Sequence, residues 1–332
     1  MKKKVILPWP TEKGLVEVIR EAEIQLNSLR DIANVNTSPV PSEEEWFKLS
    51  GDAYVVSSPR IGLQRYREFL ENAKELRMIQ TFSIGYDNID IQACTANNII
   101  VCNIGEVMAE SVAQHTWALI LAVSKHVGRS DRVMRDGGWL RENRFGVEVY
   151  GKTLGIIGLG DIGGRVALKG KLAFGMKVLA YDPYLLQSRA QLYGAELVSL
   201  ERLLQESDVI SVNCPLNGQT YHLLGEKQFR LLKTSTILVN TARGKIIDEV
   251  ALLSALEQRV FFGAGLDVFE EEPLSPRSNL CKLDNIILTS HIASSTKEAF
   301  NSTWQNGIAN ITKFIKGEKP HWIVNPAALK CR

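Results

Sequence analysis

Three glycines in the segment GIIGLGDIGGRVA, residues 155–167, have the spacing G-x-G-x-x-G. The first, Gly158, permits a tight turn, and the second, Gly160, lets the backbone approach a phosphate group. The third, Gly163, lets a following helix pack closely against the preceding strand. A helix that begins here presents unpaired N–H groups and the positive end of its dipole, and both bind anions. The spacing is therefore typical of a dinucleotide cradle, although a plain turn between a strand and a helix can have the same glycines.

The residues on either side of the glycines favour the cradle. The apolar run LGII, residues 154–157, predicts a strand immediately before them, and residues 162–175 predict a helix that opens on them. Asp161 and Ile162 lie in the turn where this helix begins. We expect both residues, together with the three glycines, to contact the cofactor.

An acidic residue ends the next predicted strand. The run KVLAYD, residues 177–182, ends at Asp182, which lies 19 residues beyond Gly163. A carboxylate at this distance accepts hydrogen bonds from the adenosine ribose and repels a 2′-phosphate. The sequence therefore predicts NAD in preference to NADP, with a helix N-cap as the alternative role for Asp182.

The composition excludes several classes of protein. The 332 residues include 39 Lys and Arg against 37 Asp and Glu, a balance that argues against a nucleic-acid binder. The apolar run at 117–123 is too short to cross a bilayer, and Pro8 and Pro10 interrupt the N-terminal run too early for a signal peptide. We expect a soluble protein.

The cysteines form no C-x-x-C pair, and their number is odd. This pattern argues against a disulfide framework and against a zinc site, and it predicts a reducing, cytoplasmic location without a bound metal. The five residues are Cys94, Cys102, Cys214, Cys281 and Cys331.

Short apolar runs alternate with helical patterns along the chain. Such alternation is typical of parallel sheets covered on both faces, and it predicts two α/β domains. A proline-free stretch at 106–139 predicts one long helix that ends at Gly137 and Gly138, and residues 62–76 predict a shorter one. The predicted strands are residues 4–7, 53–56, 77–81, 98–102, 153–158, 177–182, 208–213, 235–240 and 285–290.

Three further blocks follow the glycine motif in a fixed order: NTARGKIID at 240–248, GLDVFEEEP at 265–273 and LTSHIASST at 288–296. With GLGDIG they resemble the NAD-dependent D-2-hydroxyacid dehydrogenase family. The blocks SIGYDNID at 83–90 and AESVAQHT at 109–116 match the front half of that family, so the resemblance covers most of the chain.

The resemblance implies three catalytic residues. Arg243 would bind the substrate carboxylate and carbonyl, His291 would be the acid/base, and Glu272 would support it. These roles suit the side chains, because His carries protons near neutral pH, a carboxylate stabilises and orients the imidazolium, and Arg offers a rigid fork for a carboxylate. The neighbouring Glu270 and Glu271 are expected to be a solvated acidic loop.

The resemblance also implies the remaining contacts. Asp267 would lie near the nicotinamide end of NAD, and Cys214, Thr241, Arg243 and His291 would line the same cleft. Cys214 stands where the family often has Thr or another small residue, which weakens one hydrogen bond to the cofactor. The backbone of three residues would hold the substrate carboxylate: Ser83, Ile84 and Gly85.

The implied architecture is two Rossmann-like or flavodoxin-like domains joined by the long helix, with a cleft between them. Residues 1–103 would begin the substrate-binding domain, residues 104–291 would form the NAD-binding domain, and residues 292–332 would return to the first domain. The long helix and residues 141–150 are expected to build a homodimer. The other histidines are expected to be structural or exposed: His115, His126, His222 and His321.

The resemblance leaves the substrate open. Glyoxylate and hydroxypyruvate are favoured because they need few extra contacts, and a bulkier apolar 2-keto acid or phosphite are further choices. A short-type D-3-phosphoglycerate dehydrogenase is the main alternative; it would need extra cations, for which Arg60 is one candidate. The sequence ends at Arg332, and we therefore expect no regulatory domain like that of the longer phosphoglycerate dehydrogenases, of which short forms also exist. An NAD-sensing interaction protein of the same fold is the alternative from another class.

Overall fold

The structure is a computed structural model that describes residues 2–10, 13–37, 39, 41–142 and 144–329. The chain divides into two compact units, which we call unit 1 (Met1–Met108 with Ser295–Arg332) and unit 2 (Ala109–Ser294). Each unit is α/β with a parallel sheet, so the predicted fold class is confirmed. Of the cysteines named above, Cys331 lies outside the described residues.

The elements below are numbered in chain order. The strands are β1 Lys3–Ile6, β2 Ala33–Asn36, β3 Val55–Ser57, β4 Met78–Gln80, β5 Ile100–Cys102, β6 Thr153–Ile157, β7 Lys177–Tyr181, β8 Ala195–Leu197, β9 Val209–Val212, β10 Ile237–Asn240, β11 Gly263–Leu266 and β12 Ile286–Leu288. The helices are α1 Lys13–Val18, α2 Arg20–Ile32, α3 Glu43–Ser50, α4 Tyr66–Asn72, α5 Ile91–Ala96, α6 Ala109–Ser124, α7 Val127–Arg135, α8 Asp161–Phe174, α9 Gln187–Leu192, α10 Leu200–Glu206, α11 Glu226–Phe229, α12 Glu249–Glu257 and α13 Lys297–Ile315. Short 3-10 turns occur at Leu63–Arg65, Gly244–Ile246, Asn279–Lys282 and Pro326–Leu329.

Unit 1 contains the parallel sheet β2-β1-β3-β4-β5. Apart from β2, its strands contain short apolar runs whose side chains, such as those of Val5, Val55 and Ile79, are fully buried. The helix α13 packs against α2 on one side of this core. The segment after α13 is fixed to the sheet, because Asn325 Oδ1 accepts a hydrogen bond of 2.7 Å from the N–H of Val101.

Unit 2 contains the parallel sheet β12-β11-β10-β9-β6-β7-β8. The chain moves outward from β6 through β7 to β8, then returns to β9 beside β6 and moves outward on the other side. This is the strand order of a dinucleotide-binding sheet, with its topological switch between β6 and β9. Apolar side chains of the strands and of α6, α8, α10 and α12 cover the two faces of the sheet.

Two helix predictions are wrong in extent. The single helix predicted over 106–139 is two helices, α6 and α7, because the chain turns at His126, whose φ is +54°. The carbonyl of Ser124 accepts a hydrogen bond of 2.8 Å from the N–H of Val147, which ends α6 without a proline. Gly146 allows this approach, since a Cβ there would lie 2.1 Å from the Ser124 oxygen.

The second correction concerns the helix predicted over 62–76. The structure has a 3-10 turn at Leu63–Arg65 followed by the shorter helix Tyr66–Asn72. The helix ends there because the backbone at Ala73 leaves the helical region, with φ −89° and ψ +58°. Among the described helices, none combines the length and apolar character that crossing a membrane requires.

Candidate active site

The carboxyl ends of the strands of unit 2 lie along one edge of its sheet, because all of its pairings are parallel. Ligands of open α/β sheets bind at this edge, next to the topological switch. The residues predicted for the site follow directly or shortly after the strand ends. In the order of the strands across the sheet, from β12 to β7, they are His291, Asp267, Thr241, Cys214, Gly158 and Asp182.

The glycine turn after β6 has the geometry of a phosphate cradle. Gly158 has φ +89°, and a Cβ there would lie 2.6 Å from the backbone nitrogen of Cys214. A Cβ on Gly163 would lie 2.1 Å from the carbonyl oxygen of Gly158, so α8 can pack this closely only with glycine. A Cβ on Gly160 would meet open space instead.

That open space lies at the N-terminus of α8. This helix runs over 14 residues and begins at Asp161, with Ile162 in its first turn. The first N–H groups of a helix have no acceptor within it and carry the positive end of its dipole. The residues present therefore fit the pyrophosphate of a dinucleotide, with Gly160 as the point of closest approach.

Asp182 is held beside the glycine turn by the backbone. Its Oδ2 accepts a hydrogen bond of 3.1 Å from the N–H of Leu159, and its Oδ1 accepts one of 3.1 Å from the N–H of Tyr184. The next helix begins only at Gln187, and Leu186 is its N-cap residue. The alternative role of Asp182 as a helix N-cap is therefore wrong.

Cys214 and Thr241 are both buried at the strand ends. Burial raises the pKa of the Cys214 thiol to about 11, so this thiol is protonated near neutral pH. The hydroxyl of Thr241 lies 2.9 Å from that of Thr116 on α6, whose oxygen lies 2.8 Å from the carbonyl of Val112. The Thr241 side chain is thus bonded to the protein through Thr116.

His291 and Glu272 form a hydrogen-bonded pair. The Nδ1 of His291 lies 2.7 Å from Oε2 of Glu272, and the other carboxylate oxygen accepts a hydrogen bond of 3.1 Å from the N–H of Phe269. Because an ionised carboxylate only accepts hydrogen bonds, Nδ1 carries the proton of this contact. The His291 side chain is 49% exposed, so its Nε2 is the ring nitrogen left for a ligand.

Asp267 holds the turn that carries His291. Its Oδ1 accepts hydrogen bonds from the hydroxyl of Thr289 at 2.6 Å and the N–H of Ile292 at 2.9 Å, and its Oδ2 accepts one from the N–H of Ala293 at 2.9 Å. Its backbone carbonyl accepts the N–H of His291 at 2.8 Å. His291 has φ +55°, and this set of bonds stabilises that left-handed backbone.

His115 on α6 completes this arrangement. Its Nε2 lies 3.0 Å from the hydroxyl oxygen of Thr289 and 3.5 Å from Oδ1 of Asp267. Since the Thr289 hydroxyl donates to Asp267, Nε2 is the donor of the contact with Thr289. Burial raises the pKa of Asp267, but the hydrogen bonds from His115, Thr289 and the backbone outweigh it and hold that pKa below its ordinary value.

Arg243 follows β10 on a turn that Asn240 braces. The side chain of Asn240 donates to the carbonyl of Arg243 at 2.9 Å and accepts from the N–H of Ala242 at 3.0 Å. The Nη1 of Arg243 donates to the carbonyl of Ala242 at 2.7 Å. Gly244 then passes the backbone of Phe269, where a Cβ would lie 1.9 Å from the carbonyl carbon. The turn with Arg243 and the segment with Glu272 are therefore in direct contact.

The predicted carboxylate-binding residues belong to unit 1, where they follow β4. The carbonyl of Ser83 accepts from the Thr81 hydroxyl at 2.8 Å, that of Ile84 from Asn103 Nδ2 at 3.0 Å, and that of Gly85 from the Ser83 hydroxyl at 2.7 Å. Within the described part of the chain, the N–H groups of residues 83, 84 and 85 have no acceptor. Consecutive unpaired N–H groups of this kind can bind an anion.

Sequence reasoning missed two contributors to the site. His115 was predicted to be structural or exposed, and it supports the turn of His291 from a position remote in sequence. Glu270 was predicted to be solvated, and this is wrong, because it exchanges hydrogen bonds with Glu249 on α12. Both residues lie in blocks quoted above, AESVAQHT and GLDVFEEEP, but neither contact follows from those blocks, because both depend on the sheet that brings distant segments together.

Comparison with the sequences of known proteins gives three findings. A sequence model described as "D-isomer specific 2-hydroxyacid dehydrogenase, NAD binding domain" matches residues 117–293. A glyoxylate reductase of Korarchaeum cryptofilum is 41% identical over 80% of this chain and 81% of its own length. A D-3-phosphoglycerate dehydrogenase of Methanocaldococcus jannaschii is 38% identical over 91% of this chain but 57% of its own length.

A solved structure resembles the whole chain. It is the D-lactate dehydrogenase of Aquifex aeolicus complexed with NAD and lactic acid, which is 33% identical. The TM-score is 0.78, and the match covers 99% of this chain and 98% of the other.

Proposed function

This chain belongs to the D-isomer specific 2-hydroxyacid dehydrogenase family, whose cofactor is NAD, and from that premise we propose that it reduces glyoxylate or hydroxypyruvate. The enzyme is an NAD-dependent oxidoreductase that interconverts 2-keto and 2-hydroxy acids. The observation that carries the proposed mechanism is the 2.7 Å contact of His291 Nδ1 with Glu272 on the strand-end edge that also carries Arg243.

The reaction adds a hydride to the carbonyl carbon and a proton to the carbonyl oxygen. When it is bound, the dihydronicotinamide ring supplies the hydride. His291 supplies the proton from Nε2, because Nδ1 is held by Glu272. Arg243 binds the substrate carboxylate with its planar fork, and its charge stabilises the oxygen on which negative charge develops.

The cofactor-binding residues follow the order of the strands. The N–H groups at the start of α8, with Gly158, Gly160 and Gly163, would bind the pyrophosphate, and Asp182 would accept from the adenosine ribose. We expect Asp182→Ser to narrow the preference for NADH over NADPH. An unchanged ratio of the two kcat/KM values would contradict the ribose contact.

The N–H groups of Ser83, Ile84 and Gly85 are the proposed second contact of the substrate carboxylate. Their carbonyls are bonded within unit 1, and this supports the proposal because it leaves the N–H groups as the available side of the turn. Gly85→Pro removes one of these N–H groups, and Gly85→Ala keeps it. We expect the KM for the keto acid to rise in the first variant alone; equal KM values would argue against this contact.

The high identity to glyoxylate reductases supports the small substrates. One finding supports the alternative, D-3-phosphoglycerate dehydrogenase activity. The D-3-phosphoglycerate dehydrogenase of Methanocaldococcus jannaschii matches 91% of this chain. The deciding experiment compares kcat/KM with NADH for glyoxylate, hydroxypyruvate, pyruvate and 3-phosphohydroxypyruvate. The proposal predicts the highest value for one of the first two. A preference for the phosphorylated acid would favour the alternative, and NADH binding without turnover on any acid would indicate an interaction protein.

A homodimer is part of the proposal. Residues 127–150 expose five large apolar side chains, each at least half accessible: Val127, Met134, Trp139, Phe145 and Tyr150. Contiguous exposed apolar surface marks interaction sites, and we propose that these side chains contribute to one. We expect Trp139→Glu to yield monomers in sedimentation experiments, whereas Ile24→Glu, on an exposed position of α2, leaves the dimer intact. A wild-type monomer would rule the dimer out.

A cytoplasmic location is also proposed. The described cysteines are all free, with Cys94, Cys102 and Cys214 buried and Cys281 exposed. Free thiols suit a reducing compartment. Trapping of thiols in intact cells should find them reduced, and recovery of the protein in an oxidised extracellular fraction would contradict the proposal.

A further inference from the structure

Glu249 and Glu270 exchange hydrogen bonds between their side chains and backbones. Glu270 Oε1 accepts from the N–H of Glu249 at 3.0 Å, and Glu249 Oε2 accepts from the N–H of Glu270 at 3.1 Å. We call this reciprocal pair the Glu249–Glu270 clasp. Both side chains are partly buried, and the two residues stand 21 positions apart in the chain.

The clasp connects the two segments that carry the catalytic residues. Glu249 is the first residue of α12, which follows the turn of Arg243. Glu270 lies two residues before Glu272, in the segment that follows β11. A carboxylate at a helix N-terminus is favoured by the free N–H groups and by the dipole, so Glu270 fixes the start of α12 to its own segment.

Three titratable groups surround the clasp: His222, Asp248 and Glu271. His222 Nε2 lies 2.8 Å from Glu270 Oε1, and its Nδ1 lies 4.0 Å from Asp248 Oδ2. Burial raises the pKa of Glu249, and the charges of Glu270 and Glu271 raise it further, whereas the hydrogen bond from the N–H of Glu270 lowers it; the net pKa is raised. A protonated His222 would offset the negative charge that the clasp brings together.

The segments that carry Arg243 and Glu272 also touch each other directly. Gly244 already touches the backbone of Phe269, where a Cβ would lie 1.9 Å from the carbonyl carbon. The N–H of Phe269 is in turn the donor that holds Glu272 Oε1 at 3.1 Å. Glu270 follows Phe269 directly in the chain. A shift of the Glu270 backbone would therefore also move the N–H of Phe269, which holds the carboxylate that orients His291.

We propose that Glu270 and Glu249 are positioning residues, which set the spacing between Arg243 and the His291–Glu272 pair through their reciprocal hydrogen bonds. The proposal rests on the proposed function for its effect on turnover. Neither residue touches the substrate, so loss of the clasp lowers kcat and leaves the affinity for NADH unchanged. Small displacements of catalytic groups cost up to about 100-fold in rate.

The test compares Glu270→Ala, Glu270→Gln and Glu271→Ala. Glu271 is the matched control, because it makes no hydrogen bond or ion pair with any described residue. We expect Glu270→Ala to lower kcat roughly 10- to 100-fold with little change in the Kd for NADH. Glu270→Gln should recover most of the rate, since its amide oxygen can still accept from Glu249. Glu271→Ala should have the kcat and the Kd for NADH of wild type.

Two further measurements separate positioning from general destabilisation. Hydrogen exchange on the ligand-free protein should show faster exchange at 243–249 and 267–273 in Glu270→Ala alone, with the other helices of unit 2 unchanged. In the Glu249→Ala, Glu270→Ala double variant, the loss in kcat should not exceed that of the worse single variant, as expected for residues that act together.

The outcomes are distinguishable. Equal kcat and equal exchange for Glu270→Ala and Glu271→Ala would overturn the clasp, as would losses that multiply in the double variant. Uniformly faster exchange over unit 2 would also overturn it, because the residue would then serve stability alone. If the wild type reduces none of the acids tested, the proposed function fails, and local exchange at the two segments still decides whether the clasp exists.

Discussion

At the scale of single residues, the pairing of His291 with Glu272 decides which ring nitrogen acts. The 2.7 Å contact takes up Nδ1, so in the proposed reaction the proton delivered to the substrate leaves from Nε2. Glu272 is itself fixed by the N–H of Phe269 at 3.1 Å. A chain of two hydrogen bonds thus leads from the backbone to the reacting atom, which is how a preorganised acid is built.

The first prediction separates two adjacent glutamates. Glu272→Gln replaces the carboxylate that stabilises a protonated His291, so we expect kcat for 2-keto acid reduction to fall roughly 100-fold. Glu271→Gln is the control, and its kcat should stay within a factor of two of wild type. Steady-state assays at 340 nm measure both. Equal rates for the two variants would show that the His291–Glu272 contact has no part in turnover.

At the scale of elements, the turn between β6 and α8 gives a contrast between two glycines. A Cβ at Gly163 would lie 2.1 Å from the carbonyl of Gly158, whereas a Cβ at Gly160 would meet open space. We expect Gly163→Ala to lower the free energy of unfolding by about 1–3 kcal/mol through overpacking. Gly160→Ala should leave that free energy unchanged and weaken NADH binding at least about tenfold.

Thermal unfolding and fluorescence titration with NADH measure the two effects. Wild-type NADH affinity in Gly160→Ala would mean that no phosphate lies against this turn. A wild-type unfolding temperature in Gly163→Ala would mean that α8 lies farther from β6 than the structure shows.

The turn after β12 gives a prediction on pH. The pKa of Asp267 is lowered on folding, despite burial, by hydrogen bonds from His115, Thr289 and the backbone. Its contribution to stability is therefore present above about pH 4 and is lost as the pH falls through the folded-state pKa. Asp267→Asn turns an amide toward buried N–H donors, so we expect a loss of about 1–3 kcal/mol at pH 7.

That loss should shrink as the pH falls from about 4 through the lower folded-state pKa, because the wild-type carboxylate is then progressively protonated. Unfolding in urea at several pH values measures it. Asp131→Asn is the control, since its ion pair with Arg135 is exposed and contributes little. A penalty for Asp267→Asn that is independent of pH would contradict the charge-based account of this turn.

The elements also show what sequence patterns can and cannot predict. Apolar runs predicted most of the buried strands, and the glycine spacing predicted the turn before α8. The buried strand β11, GAGL, was missed because two of its four residues are glycines, and the short strand β8 was missed as well. The strand β2, ANVN, has no such apolar run. It lies at the edge of its sheet and pairs with β1 only, so fewer of its side chains are buried. The break at His126 could not be predicted, since it depends on the N–H of Val147, which binds Ser124 from 23 residues away.

At the scale of the whole molecule, topology explains why the predicted site residues are so scattered in the sequence. Asp182 and His291 stand more than 100 residues apart, and the strand order places their strands on opposite sides of the switch between β6 and β9. Motifs at the strand ends could be found from the sequence. The supporting contacts of His115 and Glu270 could not, because each joins segments that only the folded sheet brings together.

In the proposed reaction, NADH transfers a hydride to the carbonyl carbon of a 2-keto acid, and His291 delivers the proton to the carbonyl oxygen. Single-turnover oxidation of bound NADH by glyoxylate or hydroxypyruvate, followed at 340 nm in wild type and His291→Asn, tests it most directly. We predict that the variant loses at least about 100-fold in rate while its Kd for NADH, measured separately, matches that of wild type. A variant that keeps the wild-type rate would contradict the account.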